Sequence, residues 1–252
     1  MNKNDKGEFI GIRTQQQQAN DQAFKATALK LLEESGENWA LHNLAVMKRN
    51  ALARILYLDE IYRKIIPVPG VICEFGVQWG ASLATLTNLR GLYEPYNHSR
   101  IIYGFDTFSG FRAVSAEDGG AVQTGDYKSQ AGHEHTLNDI LTYHESICPF
   151  PERRKFELIK GDASETVKTW LSDNPHAVIA LAIFDMDLYQ PTRDVLEAIR
   201  PRLVKGSLLV FDEFNCKVFP GETAAVAEVL GLKNIRPTRH PLQTYCMMLE
   251  VE

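Results

Sequence analysis

The sequence predicts an α/β fold, with a mostly parallel sheet covered by helices on both faces and a helical extension at the N-terminus. Three observations predict it. From Pro67 onward, short apolar runs alternate with stretches of helical periodicity. The run at 177–184 is apolar at all eight positions, the pattern of a strand buried on both faces. The chain has 252 residues, 44% of them hydrophobic and 23% charged, an ordinary globular composition with enough length for a sizeable core.

The elements follow in order. Residues 1–20 carry a glutamine run at 15–18 and few large apolar groups, and read as a frayed arm. A helix is expected over 21–34, stopping before Gly36. A second helix sets Leu44, Met47, Ala51, Ile55, Leu58, Tyr62 and Ile65 on one face, to cover the core or in part to pack on another subunit. Strands are then expected over 71–75, 101–105, 156–159, 177–184, 207–211 and 245–251. Helices are expected over 82–92, 137–144, 165–171, 191–201 and 224–230. The organisation is therefore an arm and helical extension over 1–66 and an α/β domain over 67–252.

A net charge of −5 offers no basic excess to meet a phosphate backbone, so nucleic acid is not an expected partner. No apolar stretch approaches the ~20 residues of a membrane span, and the polar start has no apolar signal core. Cys73, Cys148, Cys216 and Cys246 are scattered without a C-x-x-C, which fits reduced thiols and a cytoplasmic location.

In such sheets ligands bind beyond the carboxyl ends of the strands. The first strand runs into Glu74-Phe75-Gly76-Val77-Gln78-Trp79-Gly80-Ala81-Ser82, an E-x-G-x-x-x-G turn rather than the G-x-G-x-x-G of dinucleotide binders. Gly76 permits a sharp turn and close approach of a ligand, and Gly80 clears space at the helix start. Asp106 ends the second strand, where an acidic residue can accept from two ribose hydroxyls. Asp162 and Ser164 follow the third, as adenine contacts or as a plain helix N-cap.

The fourth strand ends Phe184-Asp185-Met186-Asp187-Leu188-Tyr189, and the fifth Phe211-Asp212-Glu213-Phe214-Asn215. Four carboxylates at two neighbouring tips raise each other's proton affinity unless a cation neutralises them. All-oxygen ligation suits Mg²⁺ or a similar divalent cation rather than zinc.

These motifs together resemble the class I S-adenosylmethionine (SAM) methyltransferases, and among them the macrocin O-methyltransferase group of sugar O-methyltransferases. The resemblance runs from about Val71 to Val251. It implies a Rossmann-like, seven-stranded SAM methyltransferase fold, with SAM and Mg²⁺ as cofactors. It places Glu74, Gly76, Gly80 and Ser82 around the methionine portion of SAM, Asp106 on the ribose, and Asp162 and Ser164 at the adenine. It puts Asp185 at the cofactor site and also, with Asp212 and Glu213, among the metal ligands, and makes Asp187 the general base. The acceptor it implies is a (deoxy)sugar hydroxyl on a natural product or nucleotide sugar, in antibiotic biosynthesis, with a homo-oligomeric enzyme. Glu213 departs from the family's usual Asp or Asn at that position, and Met186 stands where a glycine is common.

Catechol-type O-methyltransferases, the nearest alternative, place a Lys three residues after the first metal aspartate, and here that residue is Leu188. The glycine pattern of a nicotinamide-dependent dehydrogenase is missing here, and four clustered carboxylates are costly for a non-catalytic nucleotide-binding module. The 106–130 passage, followed by His133 and His135, reads as a lid over the acceptor, the histidines exposed on it. Trp79 and Tyr189 either line the cleft or pack in the core, with core packing favoured for Tyr189, and Arg236, Arg239 and His240 before the last strand read as a solvated loop rather than as partners of an acidic acceptor group.

Overall fold

A computed structural model of the chain describes residues 2–11 and 14–252. It opens with a hairpin of β1 (Asn2–Lys3) and β2 (Phe9–Ile10), followed by α1 (Gln15–Glu34), α2 (Trp39–His42) and α3 (Arg49–Ile65). The sheet region holds β3 (Val71–Phe75), α4 (Ala81–Tyr93), β4 (Ile102–Asp106), α5 (His133–Ser146), β5 (Phe156–Lys160) and α6 (Ala163–Asp173). It continues with β6 (Ile179–Phe184), α7 (Tyr189–Ile199), β7 (Leu203–Phe211), α8 (Gly221–Val229), β8 (Thr238–Arg239) and β9 (Met247–Glu250).

The seven-stranded sheet has the order β5-β4-β3-β6-β7-β9-β8. The first five in that order are parallel, and β9 runs antiparallel to both β7 and β8. The chain winds outward from β3 to β5, returns to β6 on the other side of β3, and so leaves a crevice at the carboxyl ends where the winding reverses. One face packs under α3, α4 and α5 around Leu58, Leu86, Ile183 and Leu141. The other packs under α6, α7 and α8 around Phe75, Val167, Leu196 and Val226.

Three expectations need correction. Helix α1 begins at Gln15 rather than Asp21, because Thr14 and Gln17 form a reciprocal capping box that starts it six residues earlier. Thus the glutamine run is helical; residues 1, 12 and 13 of the expected arm lie outside the described residues. Second, the long apolar stripe is divided. It breaks at Met47, and only its C-terminal half, with Tyr57, Leu58, Ile61, Tyr62 and Ile65, is buried. Third, the stretch before β9 is not simply a solvated loop: Thr238–Arg239 adds an edge strand, and His240 is buried. The His240 ring lies 5.0 Å from that of Tyr57, and its Nε2 is 3.0 Å from Glu60 Oε2, tying the sheet edge to α3.

Candidate active site

The tips of β3, β4, β5, β6 and β7 surround one cavity of about 450 Å³. Glu74, Gly76, Ser82, Asp106, Asp162, Ser164, Asp185, Asp187, Asp212 and Glu213 all line it. Gly80 does not; its missing side chain makes room for Leu137 of α5, whose Cδ1 would lie 2.3 Å from an added Cβ.

Gly76 is required for contact between strand tips. Its φ is +93°, and a Cβ there would meet the Asp185 carbonyl oxygen at 1.9 Å. Any other residue would push the β3 turn away from the β6 tip. Asp106 then braces the turn. Its Oδ2 accepts the N–H groups of Val77 and Gln78, both at 2.7 Å, and its Oδ1 accepts that of Phe108 at 2.5 Å. Asp162 caps α6 by accepting the Ser164 N–H at 3.0 Å, so the N-cap reading holds while both residues also line the cavity. Glu74 is buried, its Oε2 has no hydrogen-bond partner, and burial pushes its pKa well above the carboxylate range.

The β6 and β7 tips are different. Burial first, then the neighbouring Asp212, lifts the pKa of Asp185 to about 7. Burial and the surrounding carboxylates, Asp185 foremost, hold that of Asp187 well above the usual range. Burial likewise raises Glu213, whose Oε2 has no hydrogen-bond partner. Among the described residues no three His, Cys, Asp or Glu groups converge as a formed metal site. A protein cation stands there instead. Arg54 of α3 donates to Asp185 Oδ2 at 3.1 Å, to Asp212 Oδ1, and to Ser82 Oγ at 2.9 Å.

The expectations did not include Arg54, and one signal could have found it. It lies three residues after Ala51 and four before Leu58, a cation within an apolar stripe, which needs a buried anion. Glu222 was also missed; an acidic residue in a helix's first turn reads as an ordinary dipole partner. The arm contributes as well. Glu8 Oε1 accepts from Gln78 Nε2 at 2.7 Å and Trp79 Nε1 at 3.0 Å, and Lys6 Nζ sits 3.9 Å from the Trp79 ring centroid.

Trp79 lines the cavity, whereas Tyr189 does not; it is buried and bonds Glu228 through its hydroxyl. His133 and His135 fall in the first turn of α5 rather than in a loop, and the His133 ring packs edge-on at 4.8 Å from Trp79. Gly110, Phe111, Arg112, Ala113 and Tyr127 bring the 106–130 passage to the cavity wall.

The profile of one protein family, macrocin-O-methyltransferase (TylF), matches residues 4–244. The chain belongs to the macrocin-O-methyltransferase family. Its membership spans the helical extension as well as the sheet. Among solved structures, the calicheamicin methyltransferase CalS11 is 38% identical, covers 99% of this chain and 98% of its own, and superposes with a TM-score of 0.88. An apo structure described as CalS11, a TDP-rhamnose 3'-O-methyltransferase of calicheamicin biosynthesis, is 37% identical, covers 95% and 96%, and gives 0.81. The O-methyltransferase NovP, at 17% identity and a TM-score of 0.58 over 79% of each chain, shares the fold. A curated relative from Streptomyces olivaceus, 8-demethyl-8-(2,3-dimethoxy-alpha-L-rhamnosyl)-tetracenomycin-C 4'-O-methyltransferase, is 30% identical over 155 residues. That match covers 58% of this chain and only 54% of the relative's length. No helix among the described residues is long and apolar enough to cross a membrane, and all four cysteines are free.

Proposed function

We propose that the protein transfers a methyl group from SAM to a hydroxyl of a (deoxy)sugar, carried on a natural product or a nucleotide, in antibiotic biosynthesis. The observation that carries this reading is the pairing of two unlike groups in one cavity. A braced glycine turn and a capped helix lie on one side, and a carboxylate cluster on the other. The likeness to CalS11 over nearly the whole chain supports the sugar acceptor.

The donor would lie along the β3, β4 and β5 tips, with unpartnered Glu74 near its ammonium group and Ser164 near its adenine. Asp106, with both oxygens already on backbone amides, has only its remaining lone pairs for a ribose. The cavity's other side would hold the acceptor. A sugar hydroxyl is a weak acid, and Asp187, with its raised proton affinity, is suited to take its proton during in-line attack on the sulfonium methyl. The donor set at Asp185, Asp212 and Glu213 fits a hard divalent cation: it is all carboxylate, repels itself, and includes the orphaned Glu213 Oε2. Such an ion would supply Lewis-acid polarisation of the hydroxyl. Arg54 supplies the counter-charge on Asp185 and Asp212 in its absence.

The 106–130 passage would close over the acceptor; limited proteolysis within 110–135 is expected to slow with S-adenosylhomocysteine. A second copy of the chain would cover the extension, since α1 buries none of its residues and Phe24, Leu29, Trp39, Leu41 and Leu44 are exposed. Sedimentation at micromolar concentration checks this, with a monomer counting against it. Calorimetry with SAM and with NAD, each with and without Mg²⁺, tests the main reading. SAM binding is expected; NAD binding without a response to SAM would end it. A panel of sugar acceptors, TDP-rhamnose among them, then identifies the substrate by mass gain of one methyl group.

A further inference from the structure

Two buried carboxylates beside the cavity, Glu222 and Asp118, are not among its lining residues. Both are aimed at the loop between β6 and α7 that carries Asp187. Glu222 Oε1 accepts the backbone N–H of Asp187 at 3.2 Å, and its Oε2 accepts that of Glu213 at 3.0 Å. One carboxylate thus links the β6 tip to the β7 tip. Asp118 Oδ1 accepts the N–H of Tyr189 at 2.5 Å, two residues beyond Asp187. Its Oδ2 accepts from Ser115 N at 2.7 Å and Ser115 Oγ at 2.8 Å, inside the 106–130 passage. All four oxygens are engaged.

The backbone explains what these bonds hold. Asp187 has a φ of +63°, in the left-handed region that aspartate tolerates better than most side chains but that still costs free energy relative to ordinary backbone, so bonds to the flanking amides help to hold it there. The sequence makes close approach possible through Gly221, the residue before Glu222. A Cβ there would lie 2.3 Å from Asp118 Oδ1 and 2.4 Å from Tyr189 N. The start of α8, the 115–118 turn and the Asp187 loop therefore meet at a point where no side chain fits.

We propose that Glu222 and Asp118 are positioning residues for Asp187: they hold its backbone in the left-handed conformation that sets the carboxylate, and Asp118 links that setting to the seating of the 106–130 passage. This rests on the reading of Asp187 as the base. The bonds are hydrogen-bond tethers on alternate amides, so their removal frees the loop without removing any group that lines the cavity. Outer partners that orient metal ligands typically change activity by about 10–100-fold when lost, and the same scale is expected of these tethers.

Amide hydrogen exchange and turnover in the full chain test it, comparing wild type with E222Q and D118N. E222Q keeps size but replaces one acceptor oxygen with an NH₂ that cannot accept from a backbone amide. The expected result is at least about tenfold faster exchange across 185–189, the scale of one lost hydrogen bond in a local opening equilibrium, with S-adenosylhomocysteine affinity within about twofold of wild type. D118N is expected to speed exchange at Tyr189 and within 110–130 together. On the acceptor that the panel yields, kcat is expected to fall about 10–100-fold while the acceptor KM stays within about threefold. Unchanged exchange across 185–189 in both variants overturns the proposal, as does a normal kcat in both. If E222Q fails to fold, D118N, which leaves α8 intact, bears the same expectations alone. Full turnover in D187N, by contrast, removes the base assignment, whereas a dead D187N beside fully active E222Q and D118N removes only the positioning role.

Discussion

The strand tips on the two sides of the cavity use the same residue type in opposite ways. At β4 and β5, Asp106 and Asp162 are satisfied by backbone N–H groups and serve as braces for a turn and a helix start. At β6 and β7, burial first and neighbouring carboxylates second raise the proton affinities of Asp185, Asp187 and Glu213. The contrast teaches that an aspartate at a strand end is not in itself a reactive group. What distinguishes the two sides is whether local N–H donors reach the carboxylate, or burial leaves it among other carboxylates.

Substitutions on the two sides should therefore fail in different ways. The largest effect is expected from D187N, with turnover falling about 10²–10⁴-fold and donor affinity by calorimetry retained, because proton transfer is lost and the cavity is kept. Next, G76A is expected to cost about 2–4 kcal/mol in denaturant unfolding, since its Cβ meets a backbone oxygen and its φ is left-handed. On the carboxylate side, R54M is expected to tighten Mg²⁺ binding by about tenfold in calorimetry, by removing a tethered cation that competes for Asp185 and Asp212. Weaker Mg²⁺ binding would instead make Arg54 a support of the site. On the brace side, D162A is expected to cost about 1 kcal/mol of stability through the lost cap.

The smallest effect concerns pH. A carboxylate whose folded pKa is raised stabilises the fold most below its unfolded pKa, and that contribution is lost as pH rises through the folded value. For Asp185 the window runs from about 4 to about 7. The metal-free chain should melt about 2 °C lower at pH 8 than at pH 5 through this group, which remains partly exposed. D185N should reduce that difference, leaving the part that the likewise raised Glu74, Asp187, Glu213 and Glu222 contribute in the same direction.

Much of this was legible in the sequence because the relevant patterns are local. The strand at 71–75 and the apolar run of β6 follow from burial on both faces, and the acidic tips fall where those runs end. The edge strand β8 was not legible, because two exposed residues carry no alternation and exist as a strand only through β9. The arm was misread for a similar reason: its order comes from Glu8 on Gln78 and Trp79, partners about 70 positions away. Arg54, Asp118 and Glu222 likewise reach their partners across at least 28, 71 and nine positions outside their own elements.

By itself, then, the sequence determined the alternating architecture, the glycine turn and the placement of acidic residues at strand ends, since periodicity and backbone freedom act over a few residues. Only the tertiary structure decided which carboxylates became braces and which became a repelling cluster. It also brought Arg54 of the extension between two of them and set Asp187 in a left-handed backbone under Glu222. Charge and burial are properties of neighbourhoods, and the neighbours here are assembled by strand order rather than by position along the chain.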